Sequence, residues 1–226
     1  MKRIFRHWLV LSFVLMVGSP GFTETLPTER PNPRPKITLY VYDFAGVSPE
    51  ELARAGREAT RVFLRVGIEM AWHDCLRPSD ETDPACRHPL GPANFALRIV
   101  PSVADAQTAF HRLTCGVTFR SSGAGIDNLI TVYHDCLRRL VKPGIFSLGL
   151  ILGHVTAHEV GHVLLPWGTH NSEGIMRARL GPKEWKLAAR GKLNFTPQES
   201  EHVRAGVFTR MQQQERVETT VLMSPE

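Results

Sequence analysis

Residues 36–44, KITLYVYDF, alternate apolar and polar side chains and are rich in β-branched and aromatic types, which predicts a strand. At residues 48–67, SPEELARAGREATRVFLRVG, the pattern changes to a helical one. Ser48 stands as N-cap, Pro49 at the first helical position and Glu51 three residues after the cap, a capping box, and Gly67 stops the helix. IEMAWHDC (68–75), NFALRIVP (94–101), CGVTFRSS (115–122) and NLITVYHDC (128–136) read as four more strands, with His134 a strand-end residue. Turn-forming residues at Ser122–Asp127 predict a chain reversal between the last two.

The stretch GIFSLGLILGHVTAHEVGHVLL (144–165) is apolar around most of a helical circumference, with no proline before Pro166. Such a helix is buried in a core or inserted in a membrane. Its ionisable residues His154, His158, Glu159 and His162 make a simple membrane span costly, so a buried core helix is expected. Thr196, Pro197 and Glu199 open a last helix with a second capping box. The order of elements predicts a mixed α/β (α+β) fold: a five-stranded sheet, a long buried helix, a backing helix and a small C-terminal helical part. One domain over residues 37–215 is expected, followed by a disordered tail at 216–226.

Length and composition agree: 226 residues at 42% hydrophobic content suffice for one domain with a core. The N-terminus changes the picture. Lys2, Arg3 and Arg6 precede the apolar run Trp8–Val17, and small residues follow at Gly18, Ser19 and Gly21. This is the layout of a secretory signal (residues 1–23), leading into a proline-rich linker at 24–36, and it predicts a secreted or periplasmic protein with no stable membrane span after cleavage. The chain has 27 basic and 22 acidic residues; without the three signal cations the balance is 24 to 22, which gives no reason to expect nucleic acid as a partner. Four cysteines, an even number in an exported chain, predict two disulfides. The favoured pairs are Cys75–Cys86, closing a polar loop, and Cys115–Cys136, tying two neighbouring strands.

The candidate chemistry lies in HEVGHVLLPWGTHNSEGIM, residues 158–176. On a helix, His158 and His162 project from one face and can share one zinc ion, and Glu159 is placed to take a proton from water on that metal. A catalytic zinc needs a third protein ligand. His170 is the first candidate, reached by a turn at Gly168 after the helix breaks at Pro166; Glu184 is the rival. His154, one turn before His158, is either a residue that orients a ligand or a core histidine bonded to a backbone carbonyl. His73, His88, His111 and His202 read as surface or capping residues, and Trp72, Trp167 and Trp185 as core or cleft residues.

This stretch resembles the metzincin clan of zinc endopeptidases, and also exported bacterial proteins with an HExGH…GIM site. The resemblance implies His158, His162 and His170 as zinc ligands, Glu159 as general base and Met176 as the methionine of a turn beneath the metal. It implies an extended peptide or protein substrate paired with an edge strand near the zinc, for which CGVTFRSSG (115–123) is the candidate. The chain departs from the clan pattern in the twelve-residue interval from His158 to His170, in Gly168 lying only two residues before His170, and in Ala178 where a tyrosine can stand. The expectation is an exported zinc endopeptidase; the alternatives are a non-catalytic secreted zinc- and peptide-binding protein, or a zinc amidase acting on a cell-wall component.

Overall fold

The computed structural model describes residues 34–75, 84–87, 90–102, 114–119, 128–166 and 170–223. The expected signal, most of the linker, the reversal at Ser122–Asp127, and Trp167 and Gly168 lie outside them. Five strands, β1 Lys36–Asp43, β2 Glu69–Asp74, β3 Asn94–Val100, β4 Gly116–Phe119 and β5 Leu129–Tyr133, form one sheet in the order β2-β1-β3-β5-β4. Neighbours run parallel except β4, which is antiparallel to β5 and ends the sheet. Described helices are α1 Pro49–Arg65, α2 His134–Leu140, α3 Leu148–Leu164, α4 Pro182–Ala189 and α5 Pro197–Met223, with a 3-10 turn at Pro84–Arg87. The mixed α+β fold is as expected. The inner strands are buried on both faces: Leu39, Tyr40 and Val41 on β1, Phe95, Ala96 and Leu97 on β3, and Ile130, Thr131 and Val132 on β5. Parallel strands between covering layers have this character.

Helix α3 crosses this core as the sequence requires. Ser147 caps it, accepting from the Leu150 amide at 3.2 Å. Fourteen of its 17 residues are buried, and the three that are not are Leu148, His158 and His162. The helix therefore meets solvent beyond its first residue only at the two histidines. Helix α1 lies close against it: a Cβ added at Gly153 would sit 2.6 Å from the Ala55 carbonyl oxygen, so only glycine permits this approach.

Some elements differ from the sequence expectation. Ser48 does cap α1, accepting from the Glu51 amide, but the Glu51 carboxylate instead accepts from the Gly149 amide at the start of α3. It caps the neighbouring helix, which a local pattern cannot show. The last strand stops at Tyr133, and His134 begins α2 rather than ending a strand. Tyr-His-Asp-Cys mimics a two-residue alternation, yet Cys136 and Leu137 are the buried residues, Asp135 lies in the first turn, and Arg138 and Arg139 stand at the end where cations suit a helix. Helix α5 runs on to Met223, into the stretch expected as a disordered tail.

Both disulfides pair as expected, Cys75 with Cys86 and Cys115 with Cys136, and no cysteine is free. The second ties the residue ahead of β4 to α2, not to a neighbouring strand. No described helix is long and apolar enough to cross a membrane.

Candidate metal centre

Four residues apart on α3, His158 and His162 face each other with their Nε2 atoms 3.0 Å apart. His170, beyond the end of the helix, stacks on His158 with ring centroids 5.6 Å apart and meets His162 edge-on at 4.8 Å. One ring nitrogen from each of the three lies within 4.8 Å of the others. The fit to a cation can be judged from the donors themselves. Two ligands at about 2.0–2.1 Å from a tetrahedral zinc stand about 3.3 Å apart, near the His158–His162 separation. Three imidazoles suit zinc and its transition-metal neighbours and not calcium or magnesium.

The tautomer of His158 is set by its surroundings. Its Nδ1 lies 2.7 Å from the Ile175 carbonyl oxygen, which has no proton to give, so Nδ1–H donates and Nε2 carries the lone pair. Burial, and to a lesser extent His170, outweigh that hydrogen bond and lower the pKa of His158 from the usual 6.5 to about 4. The ring is therefore neutral, as a metal ligand must be.

The chain segment that carries His170 is held from two sides. The Asn171 amide donates to the Met176 carbonyl at 3.1 Å, and the Ile175 amide to the Asn194 carbonyl at 2.9 Å. The Asn171 side chain donates to Glu199, whose other oxygen accepts from the Thr196 amide at 2.7 Å and completes the expected capping box of α5. Met176 is fully buried beneath α3, where a Cβ on Gly161 would meet its Sδ at 2.5 Å.

Glu184 does not join the cluster. Its carboxylate accepts from the Gly181 amide at the start of α4 and pairs with Arg177. Burial alone would raise its pKa; the amide and the guanidinium outweigh it and hold the group below the ordinary carboxylate value. His154 is equally remote in role. Its Nδ1 donates to the Leu150 carbonyl at 2.8 Å, and its Nε2 accepts from Arg61 at 3.2 Å. Arg61 in turn pairs with Glu58 and donates to the Gly191 carbonyl, so His154 joins α3 to α1 and to the end of α4. Burial lowers the pKa of His154 and keeps it neutral. Of the tryptophans, Trp185 is in the core and Trp72 lies half-buried against Gly56.

Glu159 is buried, and its carboxyl turns towards β4. The Thr118 hydroxyl stands 2.9 Å from its Oε2 and 2.9 Å from its backbone carbonyl oxygen. Burial raises the Glu159 pKa from 4.5 to about 7, against a smaller opposing effect of the Thr118 hydrogen bond. One hydroxyl proton serves one acceptor at a time. An ionised carboxylate takes it at Oε2; a protonated carboxyl can donate to the hydroxyl oxygen, which then donates to the carbonyl. Local spacing does not reveal Thr118, because the contact joins residues 41 positions apart. No protein-family model matches the chain, and a comparison with curated proteins finds no match.

Proposed function

We propose that the protein is an exported zinc-dependent endopeptidase. The observation that carries this reading is the convergence of His158, His162 and His170 beside a buried carboxyl on the same helix. Bound zinc would supply Lewis acidity and lower the pKa of a water. Glu159 takes the proton of the attacking water and returns it to the leaving amine as the peptide C–N bond breaks. His158, His162 and His170 would hold the metal, and the Ile175 carbonyl fixes the ring of His158. An extended peptide or protein substrate adds to the sheet at β4, which among the described residues pairs only with β5. Two disulfides support an oxidising, exported setting.

The test is metal analysis of purified protein together with cleavage of a mixed peptide library before and after chelation. Expected are one zinc per chain, cleavage lost on chelation and restored by zinc, and no cleavage by E159Q that still binds zinc. Zinc binding without peptide cleavage by the unaltered protein sinks the endopeptidase reading and leaves the non-catalytic binding protein or a cell-wall amidase.

A further inference from the structure

The contact between β4 and Glu159 does more than fill space. Residues 116 and 118 alternate onto the same face of β4, and both face Glu159. At Gly116 the missing side chain is what makes room: a Cβ there would lie 2.5 Å from Oε1, 2.6 Å from Cγ and 2.7 Å from Cδ of Glu159. At Thr118 the hydroxyl holds Oε2 at 2.9 Å. A notch and a donor, two residues apart, thus define where the carboxyl of Glu159 can lie.

We infer that Thr118 is a positioning residue for Glu159, and that the strand proposed to dock the peptide also aims the base. This rests on the endopeptidase reading for its catalytic consequence, but not for the contact itself. The strand is anchored on both sides of the notch, by the Cys115–Cys136 disulfide before it and by its antiparallel pairing with β5. A glutamate reaching out of a helix has three side-chain torsions to fix. A hydroxyl held on such a strand removes that freedom before substrate arrives, as preorganised catalysis requires.

Two measurements test it. The first uses T118V, which keeps the shape and loses the hydroxyl, and T118S, which keeps the hydroxyl. T118V should lower kcat about 10–100-fold with KM and zinc content within about twofold of the unaltered protein, and T118S should recover most of the loss. If T118V does not accumulate as folded protein, T118A asks the same question. Equal impairment of T118V and T118S assigns the effect to packing and overturns the inference, as does unchanged kcat in T118V.

The second measurement needs no activity: thermal melting of the metal-free protein, E159M, T118V and the double variant. At one fixed pH, if the hydroxyl and the carboxyl interact, the double variant has a higher Tm than the sum of the two single changes predicts. Additive changes overturn the inference. If no peptide is cleaved by any form, the endopeptidase reading fails while the melting cycle still decides whether Thr118 holds Glu159.

Discussion

The Nδ1 of His158 donates to the carbonyl oxygen of Ile175 across 2.7 Å, so one bond joins the buried helix to the segment that carries His170. That bond leaves Nε2 unprotonated and brings the two parts of the candidate metal site into fixed relation. Because the Ile175 amide is itself held by Asn194, the position of the third histidine depends on packing against the start of α5 and not on the loop alone.

Replacing His170 with alanine should lower zinc affinity by at least about a hundredfold, since it removes one of three donors from a site where even outer partners are worth about 10–100-fold. Glu184→Ala should leave zinc affinity unchanged and lower the melting temperature, because its carboxylate caps α4 and pairs with Arg177. Competition with a chromophoric chelator measures both. Loss of zinc on Glu184→Ala with retention on His170→Ala would reverse the assignment.

The metal-free protein should show opposing pH effects from two adjacent residues. Glu159 titrates at about 7 when folded and near 4.5 when unfolded. Between these values the folded state keeps a proton the unfolded state has released, so stability falls as pH rises, by about 3 kcal/mol in full. His158 titrates at about 4 when folded and near 6.5 when unfolded, so its contribution falls as pH drops through that window. From pH 4.5 to 6.5 the two slopes oppose each other. E159Q removes one of them: it should gain on the unaltered protein as pH rises, by about 3 kcal/mol at pH 8 and by little at pH 4.5. Urea unfolding of both metal-free proteins across this range is the check, and a difference that does not change with pH contradicts it.

His154→Leu should destabilise the protein by about 2–4 kcal/mol, because it breaks two hydrogen bonds and leaves Arg61 without one of its partners. Zinc affinity should stay within about threefold. A large drop in zinc affinity would instead make His154 a residue that orients the metal ligands.

Removing Cys115–Cys136 by paired serine substitution should lower stability by about 2–4 kcal/mol, and removing Cys75–Cys86 by slightly less, because the first closes 21 residues and the second 11. The two should differ in activity more than in stability. Only Cys115–Cys136 anchors the strand that holds Glu159, so its loss should lower kcat where the loss of Cys75–Cys86 does not. Denaturant curves and peptide turnover measured on the same preparations separate the two effects.

What was legible in the sequence was whatever depends on spacing along the chain. The four-residue step from His158 to His162 placed two rings on one face, Ser48 and Thr196 marked helix starts, and the apolar run around residue 155 indicated a buried helix. The hidden features depend on distant partners. Glu51 fits a local capping box and caps another helix; His154 fits two roles by its spacing, and Arg61, 93 positions away, decides between them; Thr118 carries no pattern at all. Helix α2 was hidden for a different reason, since its few residues continue a strand-like alternation and reveal their helical period only at Cys136 and Leu137.

A helix buried around nearly its whole circumference has a consequence for how this protein can vary. Along α3, a change of size at Leu150, Ile151, Leu152 or Val160 opens a cavity or overfills the core, at about 1–5 kcal/mol each, and a change at His158 or His162 removes a proposed metal donor. The usual refuge of neutral drift, the solvent face of a helix, is missing here. Mutational tolerance should therefore be lowest along α3 and higher where side chains stand in water, as at Lys183 and Lys186 on α4 and at Arg190 just beyond it.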